Sequence, residues 1–288
     1  MTGTRSAVDG ARPAPTPTDG RPGLGRPYGA RLVALTLALF VGPWLFWFSR
    51  IAQDRGLIGW HLPQGAALWS MTPLLVLTVG AVAGRGGLRD LAGRLVRWRV
   101  PAWTYLAAVA IPLGVGLTAA ALVVGSGGDL HLGETLSLPS ACVYLAYGTG
   151  LFLLTEEAGW RGVLLPRLQE RVDPVRAAVV IGVVWAVWHL PLLAVPGESD
   201  QGLPLAPFMV LIVSTSVLMS CLVNAASGSV LVAAVFHASF DACYSYLGVV
   251  GADHAMLWAA AGVSAAAAVA LAMWTRGRLC VSGPTILT

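Results

Sequence analysis

The sequence contains no lysine: all 18 of its basic residues are arginine. They are spread along the chain, so this is read as a codon or lineage bias. Charge of either sign is scarce. Asp, Glu, Lys and Arg make up 11% of 288 residues, 56% are hydrophobic and the mean hydropathy is +0.73. Soluble domains carry about 25% charged residues. That deficit, with repeated apolar runs of about 20 residues, excludes a soluble domain and indicates a polytopic membrane protein. The net charge of +4 then speaks to topology rather than to nucleic acid, and no nucleic-acid partner is expected. No CxxC pair occurs among Cys142, Cys221, Cys243 and Cys280, which argues against zinc fingers and disulfides. No internal repeat is evident, which disfavours a transporter built from related halves.

Residues 1–29 are rich in Pro, Gly, Thr and Arg and poor in large apolar side chains. They are expected to form a disordered cytoplasmic tail. No small-residue cleavage site closely follows the first apolar run, so that helix is expected to be retained. The expected fold is an all-α polytopic membrane protein of about eight transmembrane helices enclosing an intramembrane polar cavity. The spans are read at 32–48, 66–83, 101–124, 140–168, 177–195, 207–223, 229–249 and 254–274, within a transmembrane domain at 30–275 and ahead of a cytoplasmic C-terminal tail at 276–288.

Arginine placement agrees with eight spans. Arg5, Arg12, Arg21, Arg26 and Arg31, then Arg85, Arg89, Arg94, Arg97 and Arg99, then Arg167, Arg171 and Arg176, and finally Arg276 and Arg278 all fall on one side. The other side keeps Arg50 and Arg55 and collects Asp129, Glu134, Glu198, Asp200 and Asp253. The positive-inside rule puts both termini of this multi-pass cell-membrane protein in the cytoplasm. The stretch 85–99, with Leu88, Leu91, Leu95 and Val96 among arginines, reads either as a short amphipathic helix on the inner leaflet or as an ordinary loop.

Three spans carry ionisable groups, which are costly in a bilayer and mark functional positions. The fourth contains Thr155-Glu156-Glu157-Ala158-Gly159-Trp160-Arg161. Glu157 and Arg161, at i,i+4, can pair on one face. Glu156 has Gly159 and Trp160 at i+3 and i+4, so it is the carboxylate left for chemistry. His189 lies four residues after Trp185 and two before Pro191; His237 lies four before Asp241. If these groups share one depth, Glu156 and His189 can hold and deprotonate a water. His237 can then donate to the oxyanion of a tetrahedral intermediate. This is peptide hydrolysis without a covalent intermediate. The same Glu156, His189 and His237 would also make a two-His, one-carboxylate set for a divalent metal such as zinc, although HExxH is lacking. No cofactor is otherwise indicated.

These residues resemble the CPBP intramembrane protease family, which includes the CAAX prenyl endopeptidases. Glu156-Glu157-Ala158-Gly159-Trp160-Arg161 matches its EExxxR motif; Trp185 and His189 match FxxxH with Trp for Phe; His237 matches HxxxN, with Asp241 at the Asn position. The similarity covers residues of about 140–248. The resemblance implies an all-helical fold with a conical cavity open to the cytosol. It implies water activation by Glu156 and His189 and oxyanion stabilisation by His237 and Asp241, with Glu157 and Arg161 completing the motif. It implies a membrane-embedded or lipidated peptide as substrate. An ionised Asp241 would repel an oxyanion. The alternative is therefore a catalytically silent membrane immunity or scaffold protein. The cavity is expected to be reachable from the arginine-rich side.

Overall fold

The computed structural model describes residues 26–250 and 254–281; the expected tail at 1–25 and the end of the C-terminal tail lie outside the described residues. The chain is all-α. Its long helices are α1 (Arg26–Asp54), α2 (Met71–Leu95), α3 (Ala102–Gly125), α4 (Leu138–Leu154), α7 (Pro174–Trp188), α8 (Leu205–Ala225), α9 (Val230–Tyr246) and α10 (Ala255–Trp274). Short pieces α5 (Glu156–Gly159) and α6 (Leu165–Gln169) continue α4, with a π turn at Trp160–Leu164 between them. Among the described residues, 7 helical segments are long and apolar enough to cross a membrane, and Val230–Tyr246 is a shorter apolar helix. At 17 residues it spans roughly 25 Å, the low end of what a bilayer core requires.

Burial follows helical periodicity. On α1, Leu35, Leu39, Trp47 and Ile51 face protein, while Val33, Leu37, Val41, Leu45 and Phe48 form an exposed stripe. Such apolar stripes suit contact with lipid. Helix α8 is the most enclosed span. It packs on α7, where Ala178, Gly182 and Ser216 let the backbones approach; the Ser216 hydroxyl donates to the Ala178 carbonyl at 2.8 Å. Small residues at the seam provide the close packing that membrane helices need in place of a hydrophobic driving force.

Proline shapes two contacts. Pro43 lies inside α1 and lacks the N–H that would meet the Leu39 carbonyl. The Trp188 indole N–H donates to that carbonyl at 2.9 Å instead, and Trp44 donates back to the Trp188 carbonyl at 2.9 Å. In this way α1 is tied to the end of α7, beside His189.

The structure refines four expectations. The fourth span is one membrane-length segment, Leu138–Gln169, broken locally where Thr155 leaves helical geometry at φ −110°, ψ −96°. Pro166, which cannot donate to the Gly162 carbonyl, follows the π turn. The first helix starts at Arg26, so residues 26–29 are helix rather than tail. The C-terminal segment is docked in part, with Leu279 fully buried and its carbonyl accepting from the Asn224 amide at 2.9 Å. Finally, Cys221 of α8 is disulfide-bonded to Cys280; residues 59 apart in sequence give no local signal of that pairing. The stretch at 85–95 is helical, set off from the first half of α2 at Gly84 (φ 61°, ψ −161°), with Leu91 buried and Leu88 and Leu95 packed against the core.

Candidate functional site

The break at Thr155 delivers both glutamates. Thr155 turns its hydroxyl back to the Leu151 carbonyl at 2.8 Å. The Leu154 carbonyl accepts from the Thr72 hydroxyl of α2 at 2.7 Å. The next residues, Glu156 and Glu157, begin a new turn and diverge. Glu157 and Arg161 point away from solvent and are fully buried. Arg161 Nη1 donates to Glu157 Oε1 at 2.9 Å, and the guanidinium carbon lies 4.6 Å from the centroid of the Trp185 ring. Glu157 Oε1 also accepts from His237 Nδ1 at 2.9 Å. Glu157 Oε2, Arg161 Nε and Arg161 Nη2 have no hydrogen-bond partner among the described residues. These charges are compensated by each other and by the Trp185 face, as a buried pair must be.

Glu156 faces the opposite way, into a cavity of about 490 Å³. His189, His237 and Asp241 line the same cavity, with Trp185, Trp188, Phe152, Phe208 and Phe240 among its walls. Glu157 and Arg161 do not line it; they stand behind Glu156 and His237. Glu156 is not free of protein contact, because Oε2 accepts from the Trp185 indole N–H at 2.8 Å. That partner comes from α7, out of reach of spacing rules applied within one helix.

Each imidazole is fixed. His189 sits where α7 ends, and its Nδ1 donates to the Trp185 carbonyl at 2.8 Å. Its ring meets Trp188 at 4.8 Å and Phe208 at 5.6 Å, both edge-on. His237 stacks on Phe152, centroids 3.7 Å apart and planes 3° from parallel. With Nδ1 on Glu157, its Nε2 is 3.9 Å from Asp241 Oδ1. Asp241 Oδ2 accepts from the Tyr144 hydroxyl at 3.1 Å. Tyr144 was missed in the sequence. Its signal is spacing: Tyr144, Gly148 and Phe152 recur every fourth residue and form the α4 face packed on α9.

Glu198, Ser199 and Asp200, in the connection between α7 and α8, complete the wall and were also missed as site residues. Burial pushes the Asp200 carboxyl from its ordinary 3.8 up to about 7, and the Asp241 charge adds to the shift. Burial holds Glu198 above the usual carboxylate range. Among the described residues no group of three or more His, Cys, Asp or Glu is gathered to hold a metal ion. Both histidines have Nδ1 committed to protein acceptors. That leaves Nε2 of each ring for a water or a metal, as in a histidine ligand oriented through its other nitrogen.

The cavity does not open toward the arginine-rich side. Gln64, Thr135, Glu198, Asp200 and Val250, in the connections at the other end of the bundle, and Ser245 in the last turn of α9 line its outer part. The sequence-based expectation fails because the glutamates follow α4, which starts at that other end. The α5–α6 pieces close the arginine side beneath them.

Residues 138–243 match the family model described as type II CAAX prenyl endopeptidase Rce1-like. Over 50 residues the chain is 42% identical to a CAAX prenyl protease 2 of Methanococcus maripaludis, a match covering 16% of this chain and 18% of that protein. The resemblance to CPBP intramembrane proteases is borne out over this segment, which contains Glu156, Glu157, Arg161, His189, His237 and Asp241.

Proposed function

We propose that this Rce1-like segment makes the chain a glutamate-type intramembrane endopeptidase, hydrolysing a peptide bond in a membrane-embedded or lipidated substrate. The observation that carries the reading is that Glu156, His189 and His237, from three separate helical elements, line one cavity. A water placed between Glu156 and His189 Nε2 is activated there, because His189 Nδ1 is already committed to the Trp185 carbonyl. Glu156 takes the proton as the water oxygen bonds to the carbonyl carbon. The carbonyl electron pair moves onto oxygen. His237 Nε2, when it carries a proton, donates to that oxyanion. The intermediate collapses with cleavage of the C–N bond, and the leaving amine takes the proton back from Glu156. Glu157 and Arg161 are positioning residues, since Glu157 holds His237 by Nδ1. Tyr144 holds Asp241, which faces His237 from one turn away.

Glu156→Gln keeps the side-chain shape and can still accept from Trp185. It is expected to abolish cleavage of a reconstituted lipidated peptide while the protein purifies as a folded monodisperse species. Cleavage at the wild-type rate removes the proposal. Asp241 in place of Asn favours a second reading, a catalytically silent membrane immunity or scaffold protein. Under it Glu156→Gln and His189→Ala both retain the cellular phenotype, and loss of phenotype in either counts against it.

A further inference from the structure

A second cavity, of about 210 Å³, lies at the arginine-rich end of the bundle, apart from the one that Glu156 lines. It is built where three membrane segments end. Arg31 stands in the first turn of Gly29–Asp54, Arg94 in the last turn of Gln64–Leu95 and Arg167 in the last turn of Leu138–Gln169. Those positions put the cavity at the edge of the hydrocarbon layer, where phospholipid headgroups sit.

The charged lining is Arg31, Arg94, Arg167, Asp90 and Glu170. Three cations against two anions leave one positive charge in excess. Arg94 is committed: its Nε donates to the two Asp90 oxygens at 3.2 and 3.0 Å, and a β-carbon on Gly228 would lie 2.7 Å from its Nη1. Arg167 donates from Nη1 to the Val163 carbonyl at 2.7 Å. Its Nη2 reaches across to α2, 3.8 Å from where a β-carbon on Gly87 would stand. Arg31 is exposed and pairs with no carboxylate among the described residues. Glu170 is exposed at the rim. Deeper in the membrane the lining turns apolar, with Leu32 and Leu35 following Arg31 on α1 and Val82 and Ala83 preceding Asp90 on α2. Guanidinium groups over an apolar floor match the profile of a phospholipid, phosphate outermost and acyl carbons beneath.

We propose that this cavity binds the phosphate of an anionic phospholipid, with Arg31 and Arg167 receiving the phosphate oxygens and Leu32, Leu35 and Val82 the first carbons of the acyl chains. The fork of guanidinium N–H groups fits phosphate oxygens, and basic pockets between membrane helices take such headgroups. The single excess charge answers the single charge of a phosphodiester. The walls belong to α1, α2 and α6, and α6 continues the segment that carries Glu156. A bound lipid therefore ties together the elements behind the site. Both leaflets of a bilayer contain phosphate, so the assignment does not depend on which side this end faces, nor does it depend on the endopeptidase reading.

The test uses the full chain, purified in detergent without phosphate, and follows its thermal unfolding as dioctanoylphosphatidylglycerol, dioctanoylglycerol or inorganic phosphate is added. A ligand that binds the folded chain raises the midpoint with its concentration. Phosphatidylglycerol is expected to raise it to a plateau, and the other two to leave it in place. Arg31→Gln is expected to weaken phosphatidylglycerol binding about tenfold, the loss of one charge-assisted contact, and Arg167→Gln to do the same. Arg167 also holds the Val163 carbonyl, so Arg31→Gln decides the matter if Arg167→Gln fails to fold. Arg85→Gln removes an exposed arginine of the same end that does not line the cavity, and is expected to leave binding unchanged. No shift with phosphatidylglycerol, or an equal shift with dioctanoylglycerol, overturns the proposal. An equal shift with inorganic phosphate assigns the cavity to a soluble anion and overturns the lipid. Undiminished binding in Arg31→Gln, or an equal loss in Arg85→Gln, shows diffuse attraction in place of a site and overturns it as well.

Discussion

Among the described residues, Arg161 and its partner Glu157 are the charged side chains with no exposure at all. Arg161 shares one Glu157 oxygen with His237 and lies against the Trp185 ring. Removing one member of such a group leaves an uncompensated buried charge, which costs about 3–5 kcal/mol. Arg161→Met is therefore expected to lower the unfolding temperature in detergent sharply, and Arg161→Met with Glu157→Gln to recover part of it. Circular dichroism melts of both variants check this. Asp200 tests the rim. Its folded value of about 7 lies above its ordinary 3.8, so the native chain holds this proton where the unfolded chain has released it. The stability from this group is complete below about pH 3.8 and is lost as pH rises through about 7. Asp200→Asn is expected to flatten the part of the fall in unfolding temperature between pH 5 and pH 8 that belongs to Asp200. Asp241, Glu198 and Glu156 face the same group, and their charges remain in the variant. At this scale the sequence was informative wherever both partners lie on one helix, as for Glu157 with Arg161. It was silent on Trp185 with Glu156, Tyr144 with Asp241, and Glu157 with His237, because those pairs are made by packing.

At the scale of elements, the seam between α7 and α8 depends on Gly182. A β-carbon there would stand 2.8 Å from the Val213 α-carbon and 2.9 Å from the Ser216 β-carbon. Backbone cannot yield as a flexible side chain does, so the helices would have to separate. Gly182→Val is expected to cost about 1–3 kcal/mol and to weaken cleavage by moving Trp185 and His189, which lie on the same helix. Thermal unfolding and cleavage rates measured on one preparation check both effects. Apolar runs and arginine spacing revealed the existence and order of the spans. They did not reveal the break at Thr155. At the break the Leu154 carbonyl is taken by the Thr72 hydroxyl, while the Leu151 carbonyl keeps the Thr155 N–H at 3.0 Å and gains the Thr155 hydroxyl; the Thr72 contact is made by packing and has no local signal.

For the whole molecule, the lining of the cavity bears on the peptide ends it can receive. A cavity lined by carboxylates, aromatic rings and two histidines has no arginine to pair with a terminal carboxylate. Amidating the C-terminus of a cleaved test peptide is therefore expected to leave its cleavage rate unchanged or raised, as measured on the purified protein in liposomes. A marked fall on amidation would show that the free carboxylate is recognised. The sidedness itself was half legible. The arginines mark one end from sequence alone, but which end the cavity meets depends on α4 entering from the other, a matter of connectivity joined to depth.

The hydroxyl of Thr72 has a mechanical consequence. It bonds the Leu154 carbonyl, two residues before Glu156, to the first turn of α2, so neither helix can slide past the other without stretching that link. A sideways shift of α2, of the sort that a bulky guest entering between helices would impose, is thus transmitted to the backbone that aims the acidic side chain. One threonine hydroxyl thus joins the position of α2 to the direction in which Glu156 points.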